Sequence, residues 1–392
     1  MRLFQAPGRV NLIGDHIDYM GGTVLPMAID RGTWLAASAR DDRLITAASA
    51  NMPEVGTLTV DMDSQRPVAK GDWANYLVAM VDALTRRGVS VLHGFDVQVR
   101  GTIPPGSGLS SSASLEMAFG AALDAWFDLG LSPTELALAG QAAENAFIGV
   151  SSGIMDQMAI ASGRQGCALA LNCDSLAVEP VPMPADDVVV VADSRRPRSL
   201  VASAYNERRA AADAAEAALG GGRLVDITPE HLPALLDTLD PALRRAARHV
   251  ATEQHRVHAA IDALKAGDDV RVGELMRESH ESLRDDYRVT GPELDALAEA
   301  AWQAPGCLGA RMTGAGFGGC TANLVAAGQV EQFCAAVAPA YTERTGLVAD
   351  LFVVCAADGA REITDPQELA ANDPSMWDDM PGAVRSSSVD DR

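Results

Sequence analysis

Apolar and polar positions along the 392-residue chain change period repeatedly, and the changes predict strands alternating with helices. In the first 50 residues, short apolar runs such as Val24–Ile29 and Thr33–Ala37 are separated by Gly and Asp, the pattern of strands divided by turns. Residues 72–87 have helical spacing, and Phe95–Val99 alternates as a strand. A Pro-, Gly- and Ser-rich loop, Gly101–Gly108, leads into a long helix. That helix places Leu115, Ala118, Phe119, Ala122, Leu123, Trp126 and Phe127 on one apolar face. A second helix is expected from Pro133 to Phe147. The texture shifts around 180–186, and Val188–Val191 is a strand candidate. Residues 199–303 are helix-rich. A glycine-rich turn at 313–319 follows, then a strand at 320–325, a helix near 329–342 and a final strand at 348–355. The pattern is α/β, with an N-terminal domain over 1–180 and a C-terminal domain over 181–362. Residues 363–392 are expected to be a flexible acidic tail, since 365–392 hold seven acids against two arginines.

Charge narrows the function classes. The net charge of −22 repels phosphate backbones, which excludes nucleic acid or an anionic membrane as the main partner. Lys70 and Lys265 are the only lysines, and neither precedes Ser or Thr, so no GxxxxGK[ST] phosphate loop exists. Any nucleotide must be held in another way. The six cysteines form no CxxC pair, which speaks against a zinc module and for a reducing compartment. With no visible signal peptide and no apolar run of membrane length, the chain reads as a cytoplasmic protein. Nothing in the sequence identifies a protein partner.

Four segments carry candidate chemistry. The first, Ile103–Ser114 (IPPGSGLSSSAS), lies between a predicted strand and a helix start. Glycines turn backbone N–H groups inward, Ser110, Ser111 and Ser112 add hydroxyls, and the helix end adds partial positive charge, making an anion site that needs no lysine. Taken singly, the same loop also serves as an ordinary turn whose serines cap the helix. The second segment crowds Arg9, Asn11, Asp15, His16, Asp18 and Tyr19 among Val, Leu, Ile and Gly. Its carboxylates suit the hydroxyls of a polyol, and Arg9 suits a phosphoryl group or a neighbouring acid; a salt-bridged surface loop is the plainer alternative. The third is Ser152–Gln157, where Asp156 sits in a run free of basic residues as far as Arg164. Asp156 and Glu144, twelve residues earlier, suggest one carboxylate for a metal and one for proton removal, although sequence separation alone does not bring them together. The fourth, Arg311–Cys320 (RMTGAGFGGC), is a second glycine loop and weak evidence by itself.

Together these segments resemble the galactokinases of the GHMP small-molecule kinase family. APGRVNLIGDHIDYMGGTVLPMAI resembles the N-terminal galactokinase signature, IPPGSGLSSSASLEMA the phosphate loop, and GIMDQ the catalytic-acid motif. ARMTGAGFGGC matches the family's SRMTGAGFGGC in all but its first residue. SAYNERR, AARHVATEQHRV and SHESLRDDYRVTGPELD also read as family segments, so the likeness spans roughly residues 5–360. The resemblance implies a two-domain α/β fold with the active site in the interdomain cleft, and ATP-dependent phosphorylation of the anomeric hydroxyl of a galactose-like sugar. It implies Asp156 as the acid that accepts or orients the C1 hydroxyl proton and Arg9 as the electrostatic stabiliser beside it. Asp15, His16, Asp18, Gly153 and Tyr205 match sugar contacts. Pro104, Gly106, Ser107, Gly108, Leu109, Ser110, Ser111 and Ser112 match the loop over the ATP phosphates, and Trp73 a segment near the adenine. Ser112 and Glu144 match the Mg2+ ligands.

Several positions depart from the family pattern. Asp15 stands where Glu is usual, one methylene shorter; the resemblance implies a contact on the O6 side of the sugar, where a looser, water-mediated or otherwise adapted fit is expected to shift discrimination by about 1–3 kcal/mol. Ser152 replaces a common Cys, Asp174 a common Arg, and Arg198 a frequent His. Asp15 keeps open a related sugar-1-kinase for N-acetylgalactosamine, another galacto-configured sugar or a pentose. A catalytically silent ATP and sugar sensor is the alternative from another class, and the intact serine loop, Asp156 and Arg9 weigh against it.

Overall fold

The computed structural model describes residues 1–63, 73–104, 106–149, 152–196 and 201–374, without the side chains of 201–203. Pro105, Arg198 and residues 375–392, each part of a reading above, lie outside the described residues.

The chain opens with β1 (Arg2–Asn11), the short β2 (Thr23–Val24), β3 (Pro26–Ala39), β4 (Leu44–Ser49) and β5 (Leu58–Asp61), followed by helix α1 (Asn75–Arg86). Next come β6 (Phe95–Gly101), α2 (Ser111–Phe127), α3 (Pro133–Ala142), α4 (Met155–Ser162), β7 (Cys167–Asn172) and β8 (Val178–Pro182). The second half runs β9 (Asp187–Asp193), α5 (Val201–Ala217), α6 (Leu232–Thr238), α7 (Arg244–Ala266), α8 (Asp269–Ser282) and α9 (Pro292–Gln303). It ends with β10 (Cys307–Thr313), β11 (Cys320–Ala326), α10 (Val330–Thr345), β12 (Asp350–Val354), β13 (Arg361–Ile363) and α11 (Pro366–Ala371). The strands make three sheets. The first is ordered β13-β1-β3-β6-β4-β5, the second β10-β11-β9-β12 and the third β2-β7-β8.

The apolar runs Val24–Ile29 and Thr33–Ala37 are not divided by a turn. Pro26–Ala39 is one strand, and the residues between the runs form a bulge where the register against Pro7 and Gly8 slips. The bulged Asp30 bonds the chain beyond β12 instead: its N–H donates to the Cys355 carbonyl at 3.0 Å, and its Oδ1 accepts from the Cys355 N–H at 3.1 Å. Helix α2 appears where its spacing places it, but every residue from Ala113 to Leu123 is buried, not one face alone. It packs on β1 and β3 from one side and on α1, α3 and α4 from the other, so it is the central helix of its layer. Strand β10 was not visible to periodicity because nearly all of it is buried on both faces and carries an arginine.

The division expected near residue 180 falls inside β8, which pairs with β7; the chain enters the second sheet at Asp187. The acidic tail begins later than residue 363. β13 pairs with β1, Ile363 packs with Leu3 and Ala36, and Arg2 donates to both oxygens of Glu362 at 2.7 and 2.6 Å. Asp365 then caps α11 by accepting from the Gln367 and Glu368 N–H groups. One core spans both halves of the molecule, and a smaller one lies between the second sheet and helices α9 and α10. The ends of β1 and β10, the start of α2, and helices α4 and α5 meet at one cavity between the halves.

Candidate active site

The cavity encloses about 360 Å³ and is lined by Arg9, Asp15, His16, Asp18, Ser112, Glu144, Gly153, Asp156, Tyr205 and Gly314, among others. This volume suits a small molecule. Its centre is an ion pair brought together across 147 residues. Arg9 Nε donates to Asp156 Oδ1 and Nη2 to Oδ2, each at 2.8 Å, a two-pronged geometry that fixes the carboxylate plane. Arg9, in the buried stretch Leu3–Asn11 of β1, is only 4% exposed; Asp156, in the first turn of α4, keeps 30% of its side chain open to the cavity. The serine loop docks on the same pair. Arg9 Nη1 donates to the Gly108 carbonyl at 2.6 Å, the Arg9 N–H to the Leu109 carbonyl at 3.2 Å, and the Ser110 hydroxyl to Asp156 Oδ2.

Beside this pair, Ser112 on the first turn of α2 donates to Glu144 Oε1 at 3.1 Å. Ser152 and Gln157 donate to Glu144 Oε2 at 2.8 and 3.1 Å. Burial, and then the Asp156 charge, push the Glu144 carboxyl up. Glu144 sits in a wide helical turn, Ala143–Ile148, that extends α3 and ends at Gly149 with φ 87°. The second glycine loop closes the site. Gly314, with φ 84°, lies so near the serine loop that a Cβ there would meet the Gly108 carbonyl at 2.9 Å.

The polar segment after β1 forms the opposite wall. Asp15 is fully buried: its Oδ2 lies 2.7 Å from Arg311 Nη1, and its Oδ1 accepts from the Gly314 N–H at 3.1 Å. Loss of water raises its pKa, and the Arg311 and Arg9 charges oppose that. Arg311 also donates to the Asn11 carbonyl at 3.0 Å. His16 has a left-handed φ of 66° and is held through its ring, Nδ1 to the Tyr19 hydroxyl at 3.0 Å and Nε2 to the Ala315 carbonyl at 3.2 Å. Burial, and then the nearby His249, lower it to about 3, so it stays neutral. Tyr205, on α5, faces His16 with ring centres 5.4 Å apart.

Asp18 and Gly153 share a tight contact. A Cβ at Gly153 would meet Asp18 Oδ2 at 1.9 Å, so only glycine leaves room for this carboxylate. Gly153→Ala is expected to push the Asp18 carboxylate out of this position while the fold persists, because the added methyl group and Oδ2 cannot share the space. A crystal structure of the variant with Asp18 unmoved would overturn this.

Asp18 is raised to about 7, first by loss of water and then by the Asp156 charge. An unfolded Asp titrates near 4, so the folded state binds the extra proton between those values. The stability this group contributes is therefore complete below pH about 4 and is lost as pH rises through 7. Asp18→Asn is expected to raise Tm relative to the parent at pH 8, with a smaller difference at pH 5. Equal shifts at both pH values would show that Asp18 titrates normally.

Among the residues singled out from the sequence, Arg9, Asp15, His16, Asp18, Ser112, Glu144, Gly153, Asp156 and Tyr205 line the one cavity. Ser110 adjoins it through Asp156, and Gly108 and Leu109 through Arg9. Pro104, Gly106 and Ser107 stand further back in the loop, where the Ser107 N–H donates to the Pro104 carbonyl at 3.3 Å. Ser111 is the exposed first residue of α2. Trp73 is half-buried before α1 and does not line the cavity. Sequence reasoning missed Arg311 as the counter-ion of Asp15. It also missed Glu253 of α7, which accepts from the Gly14 N–H at 2.9 Å, and His249, whose Nε2 meets the Asp15 carbonyl at 3.1 Å. A charge inside an apolar strand was the available signal for Arg311.

Comparison with known proteins narrows the identity. The galactokinase galactose-binding signature matches residues 2–39, the GHMP kinases N terminal domain 75–164 and the GHMP kinases C terminal 260–341. The crystal structure of the Methanococcus jannaschii mevalonate kinase superposes with a TM-score of 0.65 over 91% of this chain and 98% of its own. Its identity is 18%, a likeness of fold alone. Fold and domain order thus define the class, a GHMP small-molecule kinase that uses ATP as phosphoryl donor. Galactokinases of Clostridium perfringens and Bacillus subtilis are both 42% identical, covering 92% and 93% of this chain and 95% of their own. The crystal structure of Lactococcus lactis galactokinase complexed with galactose is 41% identical, with a TM-score of 0.90 over 92% of this chain and 95% of its own. The chain belongs to the galactokinase family.

Proposed function

We propose that the chain transfers the γ-phosphoryl group of ATP to the anomeric C1 hydroxyl of D-galactose, yielding galactose 1-phosphate and ADP. The observation that carries this reading is the Arg9–Asp156 pair, set between a polar sugar-sized wall and a glycine–serine loop at a helix start. Asp156 is the group that takes up or orients the C1 hydroxyl proton. The loose transition state of phosphoryl transfer makes orientation as important as abstraction. Arg9 fixes the plane of the Asp156 carboxylate through its two-pronged grip and offsets charge building on the transferred group. This local positive charge matters in a chain of net charge −22 that must bind an anionic nucleotide.

Asp15, His16, Asp18, Gly153 and Tyr205 form the sugar wall in this reading. Residues 104–112 cover the phosphates, and Trp73 lies toward the adenine. Ser112 and Glu144 fit Mg2+: both offer hard oxygen donors, and Ser152 and Gln157 orient the carboxylate. Among the described residues no group of three or more His, Cys, Asp or Glu is placed to hold a metal. One carboxylate and one hydroxyl match Mg2+ that takes its remaining ligands from phosphates and water. When bound, Mg2+ supplies charge neutralisation at the phosphates. No helix among the described residues is long and apolar enough to cross a membrane, and a cytoplasmic site of action accords with the free cysteines.

A coupled assay of ADP release over a panel of galactose, N-acetylgalactosamine, glucose and pentoses tests the proposal. The expected outcome is preferred turnover of galactose. Absence of turnover with every sugar would overturn the kinase reading. Preference for another sugar would overturn only the galactose assignment and point to the shortened carboxylate at Asp15.

A further inference from the structure

The three serines at the start of α2 have three different surroundings. Ser112 meets Glu144, Ser111 is exposed, and Ser110 is buried with its hydroxyl donating to Asp156 Oδ2. Ser110 occupies the N-cap position of α2, yet its side chain accepts no bond from the helix N–H groups, the ordinary task of a serine there. Its backbone is left-handed, φ 62° and ψ 48°, a conformation uncommon for residues other than glycine. The Ser110 carbonyl still begins the helix, accepting from the Ser114 N–H at 2.9 Å. A left-handed residue with its hydroxyl turned away from the helix therefore joins the phosphate loop to Asp156. The preceding carbonyls, of Gly108 and Leu109, join the same loop to Arg9.

We propose that Ser110 is a positioning residue for Asp156 rather than a phosphate ligand: its hydroxyl locks the carboxylate to the N-cap of the phosphate-loop helix. The inference rests on the reading of Asp156 as the group beside the C1 hydroxyl. With Arg9 gripping the carboxylate from β1 and Ser110 from the start of α2, Asp156 is referenced to both of these elements. Its distance to the sugar hydroxyl is then set by the same loop that would carry the donor phosphates. Strain at a non-glycine residue is tolerated where the surrounding structure over-determines the conformation, as four contacts to this loop do.

Ser110→Ala and Ser110→Gly separate the hydroxyl from the backbone. Both remove the donor, but glycine adopts φ 62° without the Cβ penalty, so the Gly variant is expected to melt above the Ala variant. Steady-state kinetics with galactose and ATP are expected to show kcat lowered about ten- to a hundredfold in both variants, with both KM values within about twofold of the parent. In an Asp156→Asn background, Ser110→Ala is expected to change the residual turnover by less than about twofold, because the acceptor it positions is already altered. Parental kcat in both variants would overturn the inference, as would the full loss persisting in the Asn background. A raised ATP KM with kcat intact would also overturn it and make Ser110 a phosphate ligand. These outcomes are distinct from failure of the functional reading, which shows in the unmodified enzyme as absent turnover with galactose.

Discussion

Asp156→Asn is expected to lower galactose phosphorylation by about two to four powers of ten while leaving galactose binding within a few-fold of the parent. The side chains are nearly isosteric, so Arg9 keeps one acceptor and the Gly108 carbonyl still receives its Nη1–H. What the substitution removes is the negative charge and the basic oxygen facing the cavity. The loss therefore belongs in kcat, with galactose affinity by calorimetry as the control. Undiminished turnover would show that Asp156 is structural. Loss of galactose binding with Tm maintained would show that the pair serves the sugar pocket and not the transfer.

Arg311→Met is expected to cost about 3–5 kcal/mol of folding stability, a larger effect than most single substitutions. Arg311 and Asp15 are both fully buried, and their 2.7 Å pair ties strand β10 to the loop after β1. Methionine fills similar space but leaves the Asp15 carboxylate without its counter-ion in a site where loss of water already raises its pKa. That carboxyl would then keep its proton to higher pH in the folded chain than in the unfolded one. The destabilisation is accordingly expected to be smaller at pH 5 than at pH 8, because a raised folded-state pKa costs stability as pH rises. Chemical denaturation at both values checks the sign. An Asp15→Asn change added to Arg311→Met is expected to recover part of the loss at pH 8. A loss below about 1 kcal/mol would show that the pair is dispensable.

The two expectations differ in how they became visible. Asp156 stood out in the sequence because a carboxylate in an uncharged run is expensive unless it is used or satisfied. Arg311 stood in a quoted motif, yet its glycines drew the attention and its charge did not. Ser110 was legible as a hydroxyl at a helix start, but its partner was not, because the cap position gives no hint of a left-handed backbone turning the side chain toward α4. Glu253 and His249 lie in AARHVATEQHRV, which read as a family segment but gave neither residue a place in the site; that place appears only when α7 packs under the loop at Gly14 and Asp15.

Periodicity located α1, α2, β6, β9 and α10 because local backbone preferences and the spacing of apolar side chains act within a few residues. It divided β3 wrongly, since a bulge and a turn begin with the same polar residues and differ only in which strand lies opposite. The tail expected from residue 363 opens instead on ordered contacts: Ile363 packs with Leu3 and Ala36, near the other end of the chain, and Asp365 caps α11. The sequence by itself determined the chemical inventory: a lysine-free glycine–serine loop, an isolated aspartate, an arginine for it, and a polyol-type polar segment in family order. Only the tertiary structure decided which groups meet. The Arg9–Asp156 and Asp15–Arg311 pairs each join β1 or its following loop to residues more than a hundred positions away. Such pairings depend on how sheets and helices pack, and packing energy is summed over the whole core rather than written in any one segment.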